Sequence, residues 1–279
     1  MGKYEDILLV SDWDRTVTGP DRTIPSANTE AVLRFMEEGG LFTIATGHTR
    51  MSHGSRWDQI PTNAPCVIFN GSEIYDYARG ESLWCADLPA DTGRVLTELM
   101  TRWPGLHYEI QCPNETYVFG EDMGLADIMK RMGVPIRQAP LEEVPRPWVQ
   151  LAVSGTPKDT GDQGKDFFRA TDPETETVFG GVLRYFEDCP GYDAARSLPF
   201  LVEVQAAGCS KGAAARRLAK LLGRRTLVCC GDAPNDLTML READLAFVAG
   251  DGDRGLLELG FPVTVPSDVG VLADVIGRL

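Results

Sequence analysis

The feature that most narrows the fold of this chain is a set of short, almost wholly apolar runs near both ends. Each is followed at once by a polar turn. Ile7-Leu8-Leu9-Val10 is apolar at every position. Such a run has no polar face to turn to water, so it fits a strand covered on both sides. Residues 26–38 then carry Ala31, Val32, Phe35 and Met36 at helical spacing and stop at Gly39-Gly40. The runs at 41–45 and 66–69 add two more buried strands. The C-terminal part alternates in the same way, with helix 211–222, strand 226–230, helix 235–243, strand 245–248 and a closing helix over 269–279. This alternation predicts an α/β fold with a parallel sheet covered on both faces.

The middle, roughly 85 to 200, differs. It is rich in Pro, Gly and Trp and holds a polar stretch over 156–177. Short alternating segments at 117–119, 148–153 and 200–204 predict an antiparallel sheet with helices on one side. The chain therefore reads as an α/β core at 1–84 and 205–279 with an α+β insert at 85–204.

Composition trims the range of partners. Lys plus Arg is 27 and Asp plus Glu 41, a net charge of −14. That balance argues against nucleic acid or an acidic membrane face as partner. It leaves room for a small anionic substrate, because a bound metal or local positive charge reverses the field in a pocket. The seven cysteines are scattered, without metal-ligand spacing, and are expected to be reduced and mostly buried. The N-terminus is polar and its apolar run too short for a signal peptide or membrane span. We expect a cytoplasmic protein.

Four clusters of chemistry lie where predicted strands end, the edge at which open parallel sheets bind ligands. Ser11-Asp12-Trp13-Asp14-Arg15-Thr16 follows the first strand. Two carboxylates at i and i+2 can converge on one cation and one substrate, although Asp-x-Asp also serves in turns and helix caps. Thr46-Gly47-His48 follows the second strand; a hydroxyl beside Gly at a helix start can bind an anion with backbone N–H groups, or simply cap the helix. His48 and His53 carry titratable rings. Lys211 opens a helix after Gly208-Cys209-Ser210, in a chain with six lysines against 21 arginines. The helix dipole opposes a cation there, which makes sense if an anion sits between; the alternative is a solvated amine on a packed stem. Gly231-Asp232-Ala233-Pro234-Asn235-Asp236 follows the strand 226–230 and presents two more carboxylates.

Taken together the four resemble the motifs of the haloacid dehalogenase (HAD) superfamily, and within it the Cof-type, subclass IIB phosphatases. Asp12-x-Asp14-x-Thr16 matches the first motif, Thr46 the second, Lys211 the third, and Gly231-Asp232-x-x-Asn235-Asp236 the fourth. Asn70-Gly71, after the third strand, also looks like that subclass. Arg15 stands where Gly is usual, and His48 where Arg is usual.

The resemblance implies a Rossmann-like three-layer core and an inserted α+β cap. It implies a Mg²⁺-dependent phosphatase acting on a small phosphorylated metabolite such as a sugar phosphate. Asp12 would be the nucleophile and Asp14 the general acid and base. Asp12, the backbone carbonyl of Asp14 and Asp232 would hold Mg²⁺. Thr46, Gly47 and Lys211 would bind the phosphate; Thr16, Asn235 and Asp236 would support the site. Arg15 or Arg50 offers a further anion contact. Trp84, Trp103, Trp148 and Tyr117 offer sugar-stacking rings, with packing of the insert as their bland role. A phosphomannomutase-like mutase shares the pattern. A metal-dependent glycosyltransferase shares only the Asp-x-Asp.

Overall fold

The computed structural model describes residues 2–53, 59–120, 130, 133–155 and 172–279. In chain order it runs β1 (Ile7–Ser11), α1 (Ser26–Glu37), β2 (Leu41–Ile44), β3 (Cys66–Ile68), β4 (Glu73–Asp76) and β5 (Glu81–Cys85). The insert follows with α2 (Thr92–Arg102), β6 (His107–Gln111), β7 (Thr116–Phe119), β8 (Ile136–Gln138), β9 (Gln150–Ser154), α3 (Pro173–Glu187), β10 (Tyr192–Leu198) and β11 (Leu201–Ala206). The chain closes with α4 (Lys211–Leu221), β12 (Thr226–Gly231), α5 (Leu237–Glu242), β13 (Leu245–Val248), α6 (Arg254–Leu257) and α7 (Val271–Gly277).

Two compact units result. One holds the chain up to His48, the stretch ending at Trp84, and Ser210–Leu279; the other holds Cys85–Cys209 with the short stretch that begins at Thr49. The second unit extends past residue 204 because β11 stays paired with β10 to Ala206.

In the first unit four parallel strands run in the order β13-β12-β1-β2, and the bridge Ala45–Val67 carries the order on to β3. The apolar side chains of the strands feed two layers. Leu8 and Val10 of β1, with Leu227 and Cys229 of β12, pack on Ala214, Ala215 and Leu218 of α4. On the other side α1 packs against α7, which also touches β12. The register sets the site: Ser11 lies opposite both Cys230 and Ile44, and Gly231 opposite Val248. Residues 12, 45, 232 and 249 therefore leave the sheet side by side.

The second unit is a sheet in the order β10-β11-β9-β6-β7-β8, antiparallel except where β7 meets β8. Its core face carries Tyr108, Ile110, Leu151, Val153, Val202 and Val204 against Val95 and Leu99 of α2 and Phe179 and Val182 of α3. The alternate positions Glu109, Gln111, Gln150, Glu203 and Gln205 are polar yet buried, and bond to one another in a ladder of amides and carboxylates. Trp148 and Tyr117 belong to the apolar core and Trp103 packs against it; Trp84 packs in the first unit under Arg217. None of the seven cysteines, all among the described residues, is in a disulfide, and five of them are buried. Among the described residues no helix is long and apolar enough to cross a membrane. The polar stretch from 156 to 171 and the His53 side chain lie outside the described residues.

Candidate active site

The turn after β1 is shaped by backbone. Asp12 N–H donates to Cys230 O at 2.9 Å, which fixes the first carboxylate beside β12. Ser11 Oγ donates to Asp12 O at 2.8 Å. Asp14 leaves the helical region (ψ 125°), and Arg15 takes a left-handed conformation with φ 61°. The turn thereby points Asp12 inward, where it is buried, and leaves Asp14 exposed.

β12 ends at Gly231. A Cβ there would sit 2.5 Å from the Asp236 carboxyl group, so only glycine allows that carboxylate to fold back. Asp236 Oδ2 accepts from the N–H groups of Asp232 and Ala233, both at 3.0 Å. The helix expected from 235 consequently opens as a tight 3-10 turn at Pro234–Asp236, and α5 begins only at Leu237. Asp236 Oδ1 faces the other way and accepts from Lys211 Nζ at 2.7 Å.

Lys211 is 1% exposed and its ammonium also donates to Asp12 Oδ1 at 2.6 Å. Ser210 caps α4 by accepting from Ala213 N–H at 3.1 Å, which fixes where the lysine leaves the helix. Gly71, with φ 98°, lies so close to this point that a Cβ would fall 2.1 Å from Ser210 O. Gly71 and the left-handed Phe69 and Asn70 turn the chain sharply after β3. Asn235 Nδ2 donates to Asn70 Oδ1 at 3.2 Å and joins this turn to the fourth cluster.

Thr46 is buried after β2, and its Oγ1 accepts from His48 N–H at 3.2 Å. The described residues that follow form a 3-10 turn, Arg50–His53, and the Thr46 hydroxyl closes the local turn ahead of it. Gly47 lies in the bend between them. Thr16 Oγ1 donates to Asp232 Oδ1 at 3.4 Å. His48 Nε2 sits 2.9 Å from Asp14 Oδ2. Arg15, expected as an anion contact, instead faces carboxylates: Nε is 3.9 Å from Asp232 Oδ2 and Nη2 3.6 Å from Asp251 Oδ2. Arg50 belongs to the other unit, where Nη1 donates to Asn114 Oδ1 at 3.1 Å. Asp251 joins the site unforeseen. It follows the strand at 245–248 as the other acids follow theirs, so the same edge rule finds it.

The electrostatics follow from burial. Asp12, Asp232 and Asp236 are buried and offer carboxylate oxygens all within 4.8 Å of one another; among the described residues no other such group of acids, His or Cys occurs. Burial, and the Asp236 charge, raise the Asp12 carboxyl against the pull of Lys211. Burial would lower Lys211, but Asp12 and Asp236 outweigh it and hold the amine above its ordinary value. Partial loss of water would raise Asp14, and the His48 charge beside it reverses this, bringing it below its ordinary value. Three close carboxylates face one ammonium and, 3.9 Å from Asp232, the Arg15 guanidinium, so the acids still outnumber the cations around them. Hard, converging oxygens with a charge deficit fit a hard divalent cation. Asp14 contributes no side-chain oxygen to that group; its carboxylate is turned to His48.

Comparison with known proteins decides the family. The sequence model for haloacid dehalogenase-like hydrolases matches residues 9–276. The chain belongs to the haloacid dehalogenase-like hydrolases. It is thus an enzyme with the HAD-type fold, and the glycosyltransferase reading falls away. A curated relative, a 5-amino-6-(5-phospho-D-ribitylamino)uracil phosphatase of Bacillus subtilis, is 24% identical over 97% of both chains. A haloacid dehalogenase-like hydrolase of B. subtilis superposes with a TM-score of 0.78 at 17% identity, covering 98% of this chain and 99% of that one. A HAD subclass IIB sugar phosphatase superposes at 0.76 with 19% identity, covering 97% and 98%.

Proposed function

We propose that this HAD-family hydrolase is a Mg²⁺-dependent phosphatase of a small phosphorylated metabolite, a sugar or polyol phosphate. The observation that carries the reading is the convergence of Asp12, Lys211, Asp232 and Asp236 at one sheet edge, with Asp12 and Asp236 both bonded to the same buried ammonium. The curated relative named above acts on a phosphorylated ribityl compound and one structural neighbour is a sugar phosphatase, which supports that substrate class.

Asp12 attacks phosphorus as the P–O bond to the leaving group breaks, giving an aspartyl-phosphate. Asp14 gives a proton to the leaving oxygen and takes one from the water that then splits the acyl phosphate. Lys211 and Thr46, with the backbone at Gly47, stabilise the equatorial oxygens; losing one such contact typically costs on the order of 10²–10³ in rate. Asp12, the Asp14 carbonyl and Asp232 would hold Mg²⁺, with Thr16, Asn235 and Asp236 fixing those ligands. The cation's chemistry is to neutralise the ester's charge, which otherwise repels a carboxylate nucleophile. The second unit serves as the cap that selects the leaving group, and the enzyme works in the cytoplasm, in keeping with cysteines that form no disulfide.

Phosphate release over a panel of sugar phosphates, polyol phosphates and short phospho-acids tests this. Release that Asp12→Asn abolishes is expected. Appreciable turnover by the folded variant removes Asp12 as nucleophile. Conversion of a hexose 1-phosphate to its 6-phosphate without release establishes the mutase instead.

A further inference from the structure

Arg15 is held in a conformation that costs energy. Its φ of 61° and ψ of 16° lie in the left-handed region that a side chain with a Cβ avoids. The residue sits between the first-strand acids and Thr16, so a neutral or flexible residue would shape the turn at less cost. What the strain achieves is electrostatic. The guanidinium is brought to 3.9 Å from Asp232 and 3.6 Å from Asp251, beyond hydrogen-bond length in both cases. Its Nε is buried and makes no hydrogen bond. A buried donor left unmatched is a cost rather than a clamp. Asp251 is fixed independently, accepting from Ser267 N–H at 2.8 Å and Ser267 Oγ at 2.7 Å. The Asp232 carbonyl is likewise held, by Asp253 N–H at 2.7 Å. The Asp251 carboxylate therefore keeps its place without Arg15, and the Asp232 carboxylate also accepts from Thr16 Oγ1 at 3.4 Å.

We propose that Arg15 sets how weakly the acidic cluster binds its divalent cation: the guanidinium competes with the ion for the charge of Asp232. The proposal rests on the reading of that cluster as the metal site. A fixed positive charge next to a ligand oxygen repels a second, divalent one. Coulomb's law at this separation, even with the dielectric of water, makes that worth on the order of tenfold in affinity. Arg15 is thus a positioning charge, balancing the cluster when the ion is away and keeping exchange of the ion easy.

The test is calorimetric titration of Mg²⁺ into the metal-free enzyme, with no substrate present. Arg15→Gln keeps a side chain of similar reach and removes the charge; Arg15→Gly also removes the strain; Arg15→Lys keeps the charge. The Gln and Gly variants are expected to bind Mg²⁺ about tenfold tighter than wild type, and Lys to stay within about threefold of it. Melting in EDTA and in Mg²⁺ gives a second readout: added Mg²⁺ is expected to raise the Tm of Arg15→Gln by more than it raises wild type. Wild-type binding with an unchanged or weaker Arg15→Gln overturns the proposal alone. Failure of both proteins to bind Mg²⁺ overturns the metal site and the proposal with it.

Discussion

Lys211→Met is the most demanding test of the site. Methionine keeps the stem that packs in the core and removes the ammonium. Asp12 and Asp236 then lose the partner that lay 2.6 and 2.7 Å away, at positions where water reaches little of either. Removing one member of a buried pair costs about 3–5 kcal/mol, and here two acids are stranded by one change. The Asp12 carboxyl is already raised by burial and Asp236, so without Lys211 it takes up a proton more readily still. The cost is therefore pH-dependent: largest at pH 8, where protonating Asp12 is hardest, and smaller near pH 5.5. For a domain of this size about 3–5 kcal/mol lowers Tm by roughly 10 °C. Scanning calorimetry in EDTA at the two pH values reads this directly. Mg²⁺ should recover part of the loss at pH 8 by supplying the missing charge. Phosphate release should fall by at least about 10²-fold under all conditions. A variant as stable as wild type at pH 8 in EDTA would refute the buried triad. An equal loss at both pH values would show that packing, not charge, was removed.

Three further outcomes are expected. EDTA should abolish phosphate release and Mg²⁺ restore it; full activity in EDTA rules out the metal reading. Gly71→Ala should lower Tm sharply and remove activity together, since its Cβ would meet the Ser210 backbone at 2.1 Å at a φ of 98°; a variant with normal melting and turnover would show that the turn does not seat Lys211. Burial raises the Glu109 carboxyl from its ordinary value to about 7, Gln111 pulling down and the Glu203 charge pushing up. The folded state therefore holds this proton more tightly than the unfolded chain, and stability declines as pH rises from about 4.5 toward 7. Glu109→Gln should remove that slope and leave the protein more stable than wild type at pH 8, by up to about 3 kcal/mol; an unchanged slope in denaturant melts would place the effect elsewhere.

The parts of this molecule that the sequence announces are those governed by burial alone. A strand apolar at every position, such as Leu8-Leu9-Val10, can lie only inside a sheet covered on both faces, and the acids that follow it must leave at the sheet's edge. That logic puts Asp12 and Asp232 at one edge of the sheet, and the pairing of β1 with β12 then sets them side by side. It reaches less far in the insert, where Tyr192–Leu198 pairs with β11 through a register shift at Arg196–Leu198 although its small and polar residues carry no strand signal. Alternation in β6, β9 and β11 says which face is not the apolar core. It says nothing about whether that polar face meets water, and here it is buried as an amide ladder. The remaining surprises are choices among conformations of similar cost. Phe69, Asn70 and Arg15 sit in the left-handed region, where only asparagine among them is at ease. The Asp14 carboxylate turns to His48, and Asp236 folds back on Gly231 to shorten a helix start. Composition and periodicity do not encode such choices, because they turn on individual contacts: Asp14 and Asn70 meet partners from distant parts of the chain, and Asp236 bonds the N–H groups of its own turn. The active-site acids are legible as a set, and the division of labour among them is not. A turn of unusual backbone buries Asp12 against an ammonium and leaves Asp14 exposed beside an imidazole.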